Sequence, residues 1–280
     1  MARVFWGWLM SRWRFTASQA VYAFVAVVIG WSFGSVSAAD SVRPLIENDS
    51  ASDTFGLSAN STFTTDYIFR GISQTDEGPA VQGGVEATYG VLYLGIWGSN
   101  VDFGLGLNEV GDLEKVADLE IDWYAGARTS WLGISFDLGL FYYSYPGSLG
   151  AAELDYVEIG TAASYTLFDQ LTLEVTNWWS PENAGQTGML DVLELGGSYT
   201  FNKIWILSPK VSALVGRQWG QKSKGGFDYT YWNAGLTVDF YEAPALNFDV
   251  RYWDTNLAGC SFATLFQCDS RIVGSLNAAF

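Results

Sequence analysis

Nine carboxylates and three arginines carry most of the chemistry open to this chain, because they recur on one parity of short alternating segments. The acids are Asp66, Glu86, Glu120, Asp122, Asp137, Glu158, Glu174, Asp239 and Asp249, and the bases are Arg70, Arg128 and Arg251. On the wall of a water-filled passage, an excess of carboxylate concentrates cations and repels anions. Set close together, the same residues pair and fill the passage. Asp249 and Arg251 lie two positions apart and Asp66 and Arg70 four, so pairing is the competing reading.

Catalysis has less to work with. The chain contains no histidine, which removes Ser-His-Asp and Cys-His nucleophile arrangements and histidine-ligated metals. Glu120 and Asp122 could form an acid/base pair, but no convincing nucleophile accompanies them. No enzymatic activity, cofactor or metal is expected. Cys260 and Cys268 are the two cysteines and fall in one predicted loop. In an oxidising, exported location they are expected to form a loop-closing disulfide. The run Gly104-Leu105-Gly106-Leu107 imitates a phosphate-binding loop only superficially, since no basic residue follows before Lys115. The formal net charge is −16 and no basic patch stands out, which excludes nucleic acid as a partner.

The elements that must position these residues are strands. Hydrophobic content is 49% and charged content 16%, yet past position 40 no apolar run approaches the roughly 18 residues of a membrane helix. Apolar and polar residues alternate instead. In 171–180, Leu171, Leu173, Val175 and Trp179 share one face, and Thr172, Glu174 and Thr176 the other. In 131–143, Leu132, Ile134, Phe136, Leu138 and Leu140 oppose Gly133, Ser135, Asp137 and Gly139. In 246–254, Phe248, Val250 and Tyr252 oppose Asn247, Asp249 and Arg251.

About twelve such segments, of about ten residues each, follow one another. They are placed at 57–70, 80–89, 91–101, 118–127, 131–143, 155–165, 171–180, 190–201, 210–220, 229–240, 246–254 and 272–280. Odd connections are generally longer than even ones. The pattern predicts an all-β fold, a transmembrane antiparallel β-barrel with short periplasmic turns and longer external loops. Aromatics beside the turns (Tyr67, Phe69, Tyr142, Tyr143, Trp178, Trp179, Tyr199, Phe201) are read as two interfacial girdles. Arg217 and Trp219 are expected to face outward near the external end, where Arg217 would meet lipopolysaccharide phosphates or snorkel.

The first part of the chain reads as an address. Arg3, Arg12 and Arg14 precede an apolar stretch at 20–34, and Val36, Ser37 and Ala38 supply small residues for cleavage. Residues 1–38 are therefore expected to be a signal peptide. The polar stretch 39–56 is read as a flexible periplasmic leader, and 57–280 as the barrel. The last segment ends on Phe280, an expected signal to the barrel assembly machinery.

Several blocks resemble one family. Thr65-Asp66-Tyr67-Ile68-Phe69-Arg70-Gly71-Ile72-Ser73-Gln74-Thr75 is similar to the signature of the TorF family of proteobacterial outer-membrane porins. Stretches 80–84, 95–101 and 120–126 resemble its following blocks, in the same order. The resemblance implies an outer-membrane barrel and a channel. It implies no established substrate and no catalytic residue, and the cysteine pair is not part of it. The function expected is passive diffusion of small hydrophilic solutes, weakly favouring cations, in contact with outer-membrane lipid and lipopolysaccharide. A non-conducting barrel acting through its external loops is the alternative.

Overall fold

A computed structural model describes residues 54–240, 243–257 and 267–280. The predicted signal peptide, nearly all of the predicted leader and Cys260 lie outside the described residues.

Twelve strands form a closed antiparallel barrel. They are β1 (Phe55–Thr64), β4 (Ala80–Tyr89), β5 (Leu92–Asn100), β8 (Leu119–Trp131), β9 (Ile134–Ser144), β10 (Tyr156–Leu167), β11 (Leu171–Ser180), β12 (Leu190–Thr200), β13 (Leu207–Gly220), β14 (Tyr229–Phe240), β15 (Ala243–Thr255) and β16 (Arg271–Ala279). Two small hairpins stand apart from the wall: β2 (Ile68–Phe69) with β3 (Ile72–Ser73), and β6 (Leu105–Leu107) with β7 (Leu113–Lys115). The barrel closes where β1 meets β16, from Asn60 opposite Ala279 to Thr64 opposite Ser275. Closure joins the first wall strand to the last, so the sheet has no free edge strand, as a wall facing hydrocarbon requires.

One rim carries tight turns and the other long loops. Between β8 and β9, Leu132 and Gly133 hold φ of 52° and 79°. Two positive φ values in succession make the primed turn whose twist suits a hairpin. The opposite rim carries 65–79, 101–118, 145–155, 181–189 and 221–228.

The alternation settles which side chains face out. Leu94, Leu138, Leu140, Leu195, Val215, Leu236 and Val250 are exposed on the outer surface. Glu158, Thr237, Asp249 and Tyr231, on the other parity, are buried. An apolar exterior around a polar interior inverts the soluble pattern and matches lipid outside.

Three expectations need correction. The first strand ends at Thr64, not at Arg70. Asp66 explains the break, since its Oδ1 accepts hydrogen bonds from the Ser73 and Thr75 hydroxyls at 2.7 and 3.0 Å and curls the chain inward. Arg70 and Gly71, at φ of 50° and 80°, then form the turn of the β2–β3 hairpin. The second correction lies at the β8–β9 turn, expected at 128–130 and found at Leu132–Gly133. Arg128 stays in the ladder because Glu86 and Asp137 draw it inward. Third, the aromatic pairs do not all form girdles. Tyr142 and Trp179 face out, whereas Tyr143, Trp178 and, on the inserted segment, Tyr67 are buried inside. Strand period two sends adjacent residues to opposite faces.

Candidate functional site

The barrel interior collects the candidate residues, and it is unequal along its length. On the loop side it is packed around segment 65–79. On the turn side it is lined by half-buried Ser58, Ser164, Ser198, Lys210 and Ser212.

Arg70 is the anchor of the inserted segment. Its Nη1 and Nη2 donate to Glu158 Oε1 and Oε2 at 2.9 and 2.7 Å, a bidentate pair with side chains 4% and 0% exposed. The guanidinium lies 4.5 Å from the Phe69 ring centre and 5.7 Å from that of Trp178. Tyr143 donates to the same carboxylate at 3.2 Å and stacks on Tyr156 with centroids 4.4 Å apart. The Tyr229 hydroxyl donates to the Arg70 carbonyl at 3.0 Å. A charge this deeply buried requires both the paired carboxylate and the surrounding hydrogen bonds. Gly71 permits the approach, because a Cβ there would meet Thr255 Cγ2 at 2.5 Å and Tyr231 Cβ at 2.9 Å.

Two further clusters use arginine in the same way. Arg128 spans Glu86 at 2.8 Å and Asp137 at 2.9 Å, with Tyr93 donating to Asp137 at 2.7 Å and its ring 3.7 Å from the guanidinium. Arg251 reaches Asp249 at 3.0 Å, Asn233 at 2.8 Å and Ser212 at 2.9 Å, while Thr237 donates to Asp249 at 2.7 Å. Asp249 and Arg251 therefore pair as their spacing suggested. Asp66 and Arg70 do not. Asp66 binds Arg271 at 2.7 Å instead, while Arg70 binds Glu158.

The remaining acids have fewer partners. Glu120 and Asp122 are neighbours on the inner face of β8, both buried. Tyr145 donates to Glu120 Oε1 at 3.1 Å, while Glu120 Oε2 and Asp122 Oδ1 have no hydrogen-bond partner. Thr176 donates to Glu174 at 3.2 Å. Asp239 is half-buried near the turn side, under the electrostatic influence of Lys210. Among the described residues, Glu120, Asp122 and Glu174 make no ion pair. Cys268 is buried and disulfide-bonded, and its expected partner Cys260 lies outside the described residues.

Sequence reasoning missed two interior residues. Glu194 is buried on β12, accepting from Trp178 Nε1 at 2.9 Å and from the Tyr231 hydroxyl. Its parity in the predicted segment 190–201 was the signal. Arg271 was placed just outside the last strand, yet it starts β16 and holds Asp66 and Glu77. Arg217, expected to face lipopolysaccharide, donates to Thr230 at 3.0 Å and is half-buried.

Comparison with known proteins adds a family and a fold. The family model described as "Bacterial protein of unknown function (Gcw_chp)" matches residues 48–280. No curated protein matches the chain. Among solved structures, the KdgM porin in complex with disordered oligogalacturonate superposes with a TM-score of 0.52 at 9% identity, covering 80% of this chain and 99% of that one. Outer-membrane expressed OmpT of Vibrio cholerae gives 0.40 at 12% identity, over 85% and 99% of the two chains. The NanC porin gives 0.44 at 8% identity, over 80% and 98%. The first of these shows a shared fold, that of outer-membrane porins.

Proposed function

From its membership of the Gcw_chp family of bacterial proteins, whose function is unknown, and from its porin fold, we propose that this chain is an outer-membrane channel for small hydrophilic solutes, closed in this conformation by segment 65–79. The observation that carries the reading is a polar interior inside a closed barrel with an apolar exterior. The resemblance of residues 65–75 to the TorF signature supports it, because that block is the part of the chain folded into the barrel. Weak preference for cations follows from interior acids that make no ion pair, chiefly Glu120, Asp122 and Glu174.

One observation favours a second reading, a non-conducting barrel that acts through its loops. Tyr143, Glu158, Val192, Tyr231 and Thr237 are 0% exposed. Side chains lining an open aqueous pore at that level would touch water. The two readings separate in planar bilayers. Refolded wild-type chain is expected to give brief steps, and a variant lacking 66–74 steady ones, with a reversal potential in a KCl gradient showing cation preference. Silence from both proteins, each folded by gel mobility, would leave the non-conducting barrel.

A further inference from the structure

A cavity of ≈ 470 Å³ lies on the loop side, between the inserted segment and loops 145–155, 181–189 and 221–228. It falls within the roughly 300–1,000 Å³ typical of small-molecule sites. It is about three times the roughly 150 Å³ that accommodates one benzene. Its walls combine aromatic side chains, among them Phe69, Phe103, Tyr145 and Phe227, with aliphatic ones such as Leu154 and Leu190.

Several polar side chains in the lining are already engaged. Arg70 gives both terminal nitrogens to Glu158. Tyr145 gives its hydroxyl to Glu120 and Tyr229 its hydroxyl to the Arg70 carbonyl. Gln74 gives its amide nitrogen to the Ile72 carbonyl at 3.0 Å. An anion would have to draw Arg70 away from Glu158 and strand a buried carboxylate. A cation would find no Asp, Glu or other acid among the described lining residues. Beside Asn183 and Tyr156, what the walls mainly present is apolar surface, with aromatic side chains among it, which rewards shape and ring packing.

The walls are also braced before anything enters. Gly185 N–H donates to the Glu153 carbonyl at 2.9 Å, and Leu149 N–H to the Val116 carbonyl at 2.9 Å. Lys224 reaches across to Glu182 at 2.6 Å. A site held open this way loses little ordering free energy on binding.

We propose that this cavity binds an uncharged, predominantly apolar small molecule of two or three fused or linked rings, taken from the loop side. The assignment does not depend on whether the barrel conducts. The test uses the refolded barrel in lipid nanodiscs with N-phenyl-1-naphthylamine, an uncharged probe that brightens in apolar surroundings. A saturable one-to-one component above the empty-nanodisc background is expected. It should weaken at least tenfold in Ala184→Trp and in Ala152→Trp, which fill the cavity from two different loops, provided each keeps the mobility of a folded barrel. The anilinonaphthalene sulfonate anion, with nearly the same rings, should bind at least tenfold more weakly to the wild-type chain. Absence of a saturable component overturns the proposal. Equal binding of the sulfonate overturns it as well, and this comparison needs no variant to fold.

Discussion

Arg70 shows what a single residue can hold in place. Its guanidinium and the Glu158 carboxylate are both buried, and each is the other's main compensation. Arg70→Met would leave that carboxylate with the Tyr143 hydroxyl alone. Breaking a buried pair from one side costs about 3–5 kcal/mol, because the partner stays charged and dry. The double variant Arg70→Met with Glu158→Gln removes the stranded charge and should recover most of that loss. Urea unfolding of Arg70→Met, Glu158→Gln and the double variant in bilayers measures the coupling, and additive losses would refute it. Gly71 bears on the same anchor through backbone geometry. At φ of 80°, with a Cβ that would fall 2.5 Å from Thr255 Cγ2, Gly71→Ala should cost about 1–3 kcal/mol. In the same bilayers it should lengthen channel openings by loosening the hairpin. Unchanged stability together with unchanged openings would mean that the segment does not depend on this turn.

At the scale of elements, the long loops are tied to each other by charge. Lys224 in loop 221–228 reaches Glu182 in loop 181–189, while Lys222 and Asp228, 2.9 Å apart, brace loop 221–228 internally. The hydrogen bonds from Lys224 and Lys222 hold the Glu182 and Asp228 carboxyls below their ordinary values. A lowered carboxyl pKa means that the tie is fully present above the ordinary value of about 4. It is lost as pH falls through the lowered value. A spin label on Gln186→Cys should therefore keep one line shape from pH 8 to about 5 and narrow only in stronger acid. Lys224→Met should narrow it at every pH, and a label indifferent to both changes would refute the tie. The wall strands were readable in the sequence because period two exposes a half-apolar strand directly, as in 171–180 and 246–254. The inserted hairpin was not. Thr65 to Arg70 continues the same alternation as β1, so the pattern ran on where the chain turns inward. The departure is set by Asp66 gripping Ser73 and Thr75, contacts that no local periodicity encodes. Gly71 was the one local sign, since a primed turn favours glycine at its second central position. Parity likewise placed Glu86 and Glu158 inside, yet it could not tell which arginine each would meet, because Arg128 and Arg70 lie far from them in the sequence; only for Asp249 was the partner, Arg251, within local reach.

At the scale of the whole molecule, the decisive contrast is between the two faces of the wall. Leu138, near the middle of β9, and Leu57, near the turn-side end of β1, both point outward and are 56% and 59% exposed. Water-based reasoning treats the two as equivalent exposed leucines whose replacement by arginine is almost neutral. A bilayer treats them differently by depth. Arginine on the lipid face costs about 2–4 kcal/mol at the midplane and about 0–1 kcal/mol near the interface. Leu138→Arg is therefore expected to lose about 2–4 kcal/mol in reversible unfolding from lipid vesicles, and Leu57→Arg almost nothing. The interior gives the control. Ser135, on the same strand as Leu138, is buried, so arginine there would be penalised by packing in detergent and lipid alike. A cost that appears at Leu138 only when lipid surrounds the barrel identifies the apolar face as the membrane-facing one. Equal tolerance at Leu138 and Leu57 in lipid would mean that the band is not immersed, and the outer-membrane reading would fail with it.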